Sequence, residues 1–158
     1  MSNFPQKVGI VLNDLGASEC VFLSVKSINA VARDRIDIIP MVFFYDLIQP
    51  SVQLLCPSFN VQDGFSFSGT LILTSVESLF FTDGYNRSQK VFYCSDLTLL
   101  NNKEYVDYLI KTQMPVICRW EDYKPELSKF GINVLNKTTE DFDIISILTI
   151  SGEYYGKK

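Results

Sequence analysis

The sequence predicts an α/β domain of three layers: a mostly parallel sheet of about six strands with helices on both faces. Two observations predict it. Short apolar, β-branched runs alternate along the whole chain with amphipathic segments of helical period. The apolar runs are also continuous rather than alternating with polar residues, as in strands covered on both faces.

Val8 to Leu12 is the first such run. A helix is expected from Ser18, which caps it. Glu19 complements its dipole, and Val21, Val25, Ile28 and Ala32 supply an apolar stripe. Arg33-Asp34-Arg35 returns that helix to solvent. Ile36 to Tyr45 reads as a second strand, and Pro40, which lacks an N–H, places it toward a sheet edge or at a bulge. Residues 46–68, with Pro50, Pro57 and Gly64, read as a long irregular connection holding one short helix at Val52 to Leu55.

Thr70 to Ser75 is a strand, Val76 to Phe81 a helical turn, and Lys90 to Asp96 a strand. A helix over Asn102 to Met114 has Asn101 or Asn102 as its cap and turns Tyr105, Leu109 and Ile110 inward. Pro115 to Trp120 is a strand. Tyr123 to Gly131 is a short helix with Pro125 in its first turn and Gly131 after its end. Ile132 to Asn136 is expected as one more strand. A helix is favoured over a strand in the apolar stretch that ends at Ile150. The order of parts makes the chain a single Rossmann-like domain over 1–158.

Composition narrows the function. With 158 residues, 47% of them hydrophobic and 20% charged, the chain can bury a core of its own. The net charge of −4, with 14 scattered basic residues, speaks against direct nucleic-acid binding. No apolar run reaches membrane-span length and no signal peptide is legible, so a cytoplasmic protein without membrane contact is expected. The four cysteines, Cys20, Cys56, Cys94 and Cys118, lack CxxC spacing and read as buried thiols. The absence of histidine rules out an imidazole base or a His-ligated zinc within this chain. Neither a metal nor a resident cofactor is expected.

In a parallel sheet, ligands sit beyond the carboxyl ends of the strands. Those ends carry Asn13-Asp14, Thr74-Ser75, Cys94-Ser95-Asp96, Arg119-Trp120-Glu121-Asp122 and Asn136. The first loop has one glycine, Gly16, where a dinucleotide fingerprint needs three, and Asp14 and Glu19 repel a phosphate there. A neutral polyol suits Asn13, Asp14 and Glu19 better. Asp96 is either a general base or a turn residue. Arg119 is a ligand contact or the partner of Glu121 or Asp122.

The stretches "KVGIVLNDLGASECVFLSVKSINAV", "GTLILTSVESLFF" and "KVFYCSDLTLL" resemble, in order and layout, the N-terminal domain of GT-B glycosyltransferases, the phage enzymes that glucosylate modified DNA bases among them. The resemblance implies a sugar-transferring cleft. Asp96 would be the catalytic base, with Asp14 the alternative. Asn13, Asp14, Glu19, Ser75, Arg119 and Glu121 would be substrate contacts. It implies a nucleotide-sugar or a sugar acceptor as ligand. Because this family places most donor contacts in a second domain, the resemblance also implies a stand-alone half, a truncated relative or one subunit of a split enzyme completed by a separate donor-domain partner, with an inactive lone domain among these outcomes. The alternative is a non-enzymatic Rossmann-like assembly module. There, surplus rings among 12 Phe and 8 Tyr would drive homo-oligomer formation.

Overall fold

A computed structural model describes residues 4–13, 19–46 and 53–157. The sheet strands are β1 (Gln6–Leu12), β2 (Ile38–Phe44), β3 (Ser58–Asn60), β4 (Gly69–Leu73), β5 (Ser88–Cys94) and β6 (Val116–Cys118). The helices are α1 (Glu19–Asp34), α2 (Glu77–Phe81), α3 (Lys103–Thr112), α4 (Tyr123–Ser128) and α5 (Ile144–Gly156). Single 3₁₀ turns occupy Val61–Asp63 and Thr98–Asn101.

All six strands are parallel, in the order β3-β2-β1-β4-β5-β6. This is the Rossmann order. β1 lies between β2 and β4, and Val8, Ile10, Val11 and Leu12 are fully buried, which is why its sequence is continuously apolar.

Successive strand residues point to opposite faces, and the two cores divide them accordingly. One core takes Val8, Ile10, Ile72, Val91 and Ile117 together with residues of α1 and α5. The other takes Val11, Leu71, Leu73, Phe92 and Val116 together with residues of α2, α3 and α4. Helices thus cover both faces. Each fully buried aliphatic side chain contributes about 1.5–3 kcal/mol.

Local signals account for the helices. In α1, Val21, Val25, Ile28 and Val31 are buried, while Ala32 is half-buried and Val31 takes the last inward position. The expected cap Ser18 lies outside the described residues. Asn102 caps α3 by accepting from the Glu104 N–H at 2.9 Å. In α3, Val106 and Leu109 are the buried residues, with Tyr105 and Ile110 half-buried beside them. Asp143 caps α5, accepting from Ile145 N at 3.3 Å.

Two expectations need correction. The helix expected at Val52 to Leu55 does not form over 53–55, and Val52 lies outside the described residues. The same connection instead holds the short edge strand β3. Second, Ile132 to Asn136 is not a strand: only Val134 forms a bridge, to Val116. β2 does lie toward an edge, with β3 alone outside it, and Pro40 costs it no ladder bond. Val42 N–H donates to Pro57 O at 3.0 Å on the β3 side, and β3 starts only opposite Val42. Two residues earlier, the missing N–H of Pro40 would have pointed to that same unoccupied side.

β3 connects back to β4 through residues 61–68, which hold one 3₁₀ turn where a Rossmann crossover carries a helix. Gly69 ends that crossover with φ +146°, and a Cβ there would lie 2.4 Å from the Lys7 carbonyl oxygen. Glycine is what lets β4 start against β1.

Candidate functional site

β1 is followed by a strand on one side and β4 begins the other half of the sheet, so the switch point lies between their carboxyl ends. Thr74 Oγ1 donates to Val11 O at 2.6 Å and ties the two ends together. A cavity of about 220 Å³ opens there, lined by Asn13, Cys20, Ser75, Glu77, Ser95 and Asp96 among others. A second, of about 310 Å³, shares Cys20, Ser95 and Asp96 with it and adds Glu19, Tyr93, Arg119 and Phe142. The two form one cleft divided by α1's first turn.

Five of the residues singled out in the sequence therefore converge: Asn13, Glu19, Ser75, Asp96 and Arg119. Asp14 lies outside the described residues. Glu121 stands apart, lining an open depression with Asn136, Lys137 and Ile145. Its carboxylate pairs with Lys124 at 2.7 Å and accepts from Thr138 Oγ1 at 3.0 Å. The Lys124 hydrogen bond, with that from Thr138, holds its pKa below the usual value.

Asp96 is exposed, so the desolvated carboxylate that a strand end could provide is not what forms. Its Oδ1 accepts from both the N–H and the hydroxyl of Thr98, at 2.9 and 2.5 Å, which starts the 3₁₀ turn after β5. The Cys94 thiol donates to Asp96 O at 2.9 Å. These bonds fix the backbone and Oδ1, and no hydrogen bond from the described residues engages Oδ2.

Arg119 is half-buried, and its Nε donates to Glu140 O at 2.9 Å. Its Nη2 pairs at 3.3 Å with Glu19, not with Glu121 or Asp122. The guanidinium carbon lies 5.2 Å from the centre of the Trp120 ring. The pair joins the start of α1 to the end of β6. With Glu19 75% exposed, it contributes at most about 1 kcal/mol.

Tyr45, just past β2, belongs to this wall and sequence reading missed it. Its hydroxyl shares a 2.7 Å hydrogen bond with Ser75 Oγ and reaches Glu77 Oε2 at 3.4 Å. Burial pushes the phenol's pKa up, so it stays a neutral hydroxyl. Burial likewise pushes up the Cys20 thiol, which leaves Cys20 a polar wall rather than a nucleophile. Cys20 carried a signal: it sits one residue inside a helix that opens at a strand end.

The first cavity thus offers hydroxyls, an amide and two carboxylates, Glu77 and Asp96, and its described lining includes no lysine or arginine. Such a surface hydrogen-bonds a neutral polyhydroxylated ligand and repels an anion. Among the described residues, no group of His, Cys, Asp and Glu is placed to hold a metal ion, and no helix is long and apolar enough to cross a membrane. No protein-family model, curated protein or solved structure matches the chain.

Proposed function

We propose that the switch-point cleft binds a neutral sugar, and that the chain serves as the N-terminal-type domain of a GT-B-like sugar transferase. The observation that carries this reading is the convergence of Asn13, Ser75, Ser95 and Asp96 on a cavity whose described lining lacks a cation. Asn13 and the two serines supply donors and acceptors for hydroxyls. Asp96, oriented through Oδ1 and with no hydrogen bond from the described residues at Oδ2, is the base that takes a proton from the attacking hydroxyl. Donor activation falls to a second domain, which holds the nucleotide-sugar.

Backbone NMR titration with neutral monosaccharides tests the binding half. Saturable shifts confined to Asn13, Ser75, Ser95 and their neighbours are expected, and absence of any such response would overturn the reading. Turnover with nucleotide-sugars and a donor-domain partner tests the other half. Asp96→Asn preserves the bond from Thr98 N–H but removes the base, so the rate should fall at least about 100-fold with sugar affinity unchanged. An undiminished rate would remove Asp96 from the mechanism.

A further inference from the structure

Beside the Ser75 wall of the cavity lies a run of aromatic rings. Tyr45, whose hydroxyl holds Ser75 and approaches Glu77, stacks on Phe81 with ring centres 4.6 Å apart and planes at 29°. Phe80, next to it on α2, packs at 5.2 Å against both Tyr105 and Tyr108 of α3. Two adjacent phenylalanines on this five-residue helix remain 44% and 49% exposed. A core has no use for half-wet rings, and Phe80 and Phe81, each at the edge of its own ring group, mark a place where something packs.

Charge narrows what that is. The adjoining cavity brings Glu77 and Asp96 and its described lining includes no lysine or arginine. Next to the rings, Asp83 accepts from Tyr108 OH at 2.6 Å, and the Lys90 ammonium donates to the Thr82 carbonyl, also at 2.6 Å. A phosphate-bearing strand anchored in the cavity would meet Glu77 and Asp96 with no cation from the described lining. A pyranose has the complementary make-up: its hydroxyl edges hydrogen-bond, and its C–H face is apolar and packs on a ring face.

We propose that the ligand is a neutral oligosaccharide, not a single sugar, with one ring in the cavity and the following rings lying over Tyr45, Phe81 and Phe80. This rests on the assignment of the cavity to a neutral sugar. The aromatic run then sets chain-length preference, while the cavity sets the identity of the terminal ring.

Calorimetric titration of the full chain with glucose-, mannose- and galactose-based oligosaccharides of increasing length decides the matter. Affinity should rise about tenfold or more between one ring and three in at least one series. Phe81→Ala and Phe80→Ala should each erase that gain while leaving monosaccharide affinity intact, and Phe81→Trp should enlarge it. Unchanged melting temperatures for the variants would exclude misfolding as the cause. A monosaccharide that binds with no gain at any length overturns the aromatic path and leaves the cavity's assignment standing. No binding at any length overturns both. A gain that survives both alanine variants overturns the path, and so does a scattering mass that doubles with concentration and returns to the monomer in the variants, because that gives the rings to a second copy of the chain.

Discussion

On one face of the sheet, α1 and α5, of 16 and 13 residues, lay down Val21, Val25, Ile28, Ile144, Ile147 and Leu148, and the core there is mostly aliphatic. On the other, α2, α3 and α4 have 5, 10 and 6 residues, and the crossover to β4 holds only a 3₁₀ turn. There the space is filled by Phe43, Phe67, Tyr85, Phe92 and Met114. The contrast has a simple origin. A long helix delivers a branched side chain every turn, whereas a short connection delivers few residues and each must be large to exclude water. Aromatic density follows from the brevity of the covering segments.

Truncation should expose this difference. Phe43 meets Phe67 edge-on at 5.4 Å and Tyr85 at 5.9 Å, so Phe43→Ala removes the centre of a ring cluster. Its expected cost is about 3–5 kcal/mol, toward the upper end because the crossover beside it carries a 3₁₀ turn and not a helix that could settle into the void. Ile28→Ala on the aliphatic face should cost about 2–5 kcal/mol and fall below Phe43→Ala. Urea denaturation of both variants measures the gap, and an inverted order would break the comparison.

Next in size is Tyr85→Phe. The Tyr85 hydroxyl donates to the Val61 carbonyl and anchors the crossover turn from inside. Its loss leaves that carbonyl with the Gly64 N–H alone, at 3.3 Å, at a cost of about 0.5–1.5 kcal/mol. Proteolysis within 61–68 should accelerate with it. A variant as stable and as resistant as the parent would show that the turn holds itself.

The smallest effect concerns alkaline pH. Burial pushes the Cys118 thiol up to about 11, whereas in the unfolded chain it titrates near ~8.5. Between those values the folded state binds more protons, so stability present below the unfolded pKa is lost as pH rises through the folded one. Lys90, pushed down by burial, acts in the opposite direction. The readout is therefore the comparison with Cys118→Ala, which should start less stable and decline less steeply between pH 9 and 11.

Much of this architecture was legible because it depends on local pattern. The strands β1, β4, β5 and β6 are apolar where both faces are covered, and Asn102 is a side-chain cap visible in the sequence. β3 was not legible: Ser58, Phe59 and Asn60 carry no apolar periodicity, and only pairing with β2 makes them a strand. Val134 failed in the opposite sense, since an apolar run there finds a single partner in Val116. At the cleft, strand-end reasoning found Asn13, Ser75 and Asp96. It also found Arg119, but expected Glu121 or Asp122 as its ion-pair partner, where Glu19, 100 residues away in sequence, takes that place. It placed Glu121 in the cleft because proximity to Arg119 along the chain is not proximity in space. Tyr45 escaped because its role depends on a bond to Ser75 that only the sheet creates.

The central position of β1 has a consequence for how the chain folds. β1 and β2 meet across one helix, but Val8 pairs with Thr70, so the junction of the two sheet halves closes a loop of about 60 residues. The chain entropy lost in that closure is roughly 3.5–4 kcal/mol, set against no local contact. The two halves are therefore expected to form before they join, with the β1–β4 seam as the late, slow event. Since the cleft opens at the carboxyl end of that seam, it takes shape only once that strand pairing is complete.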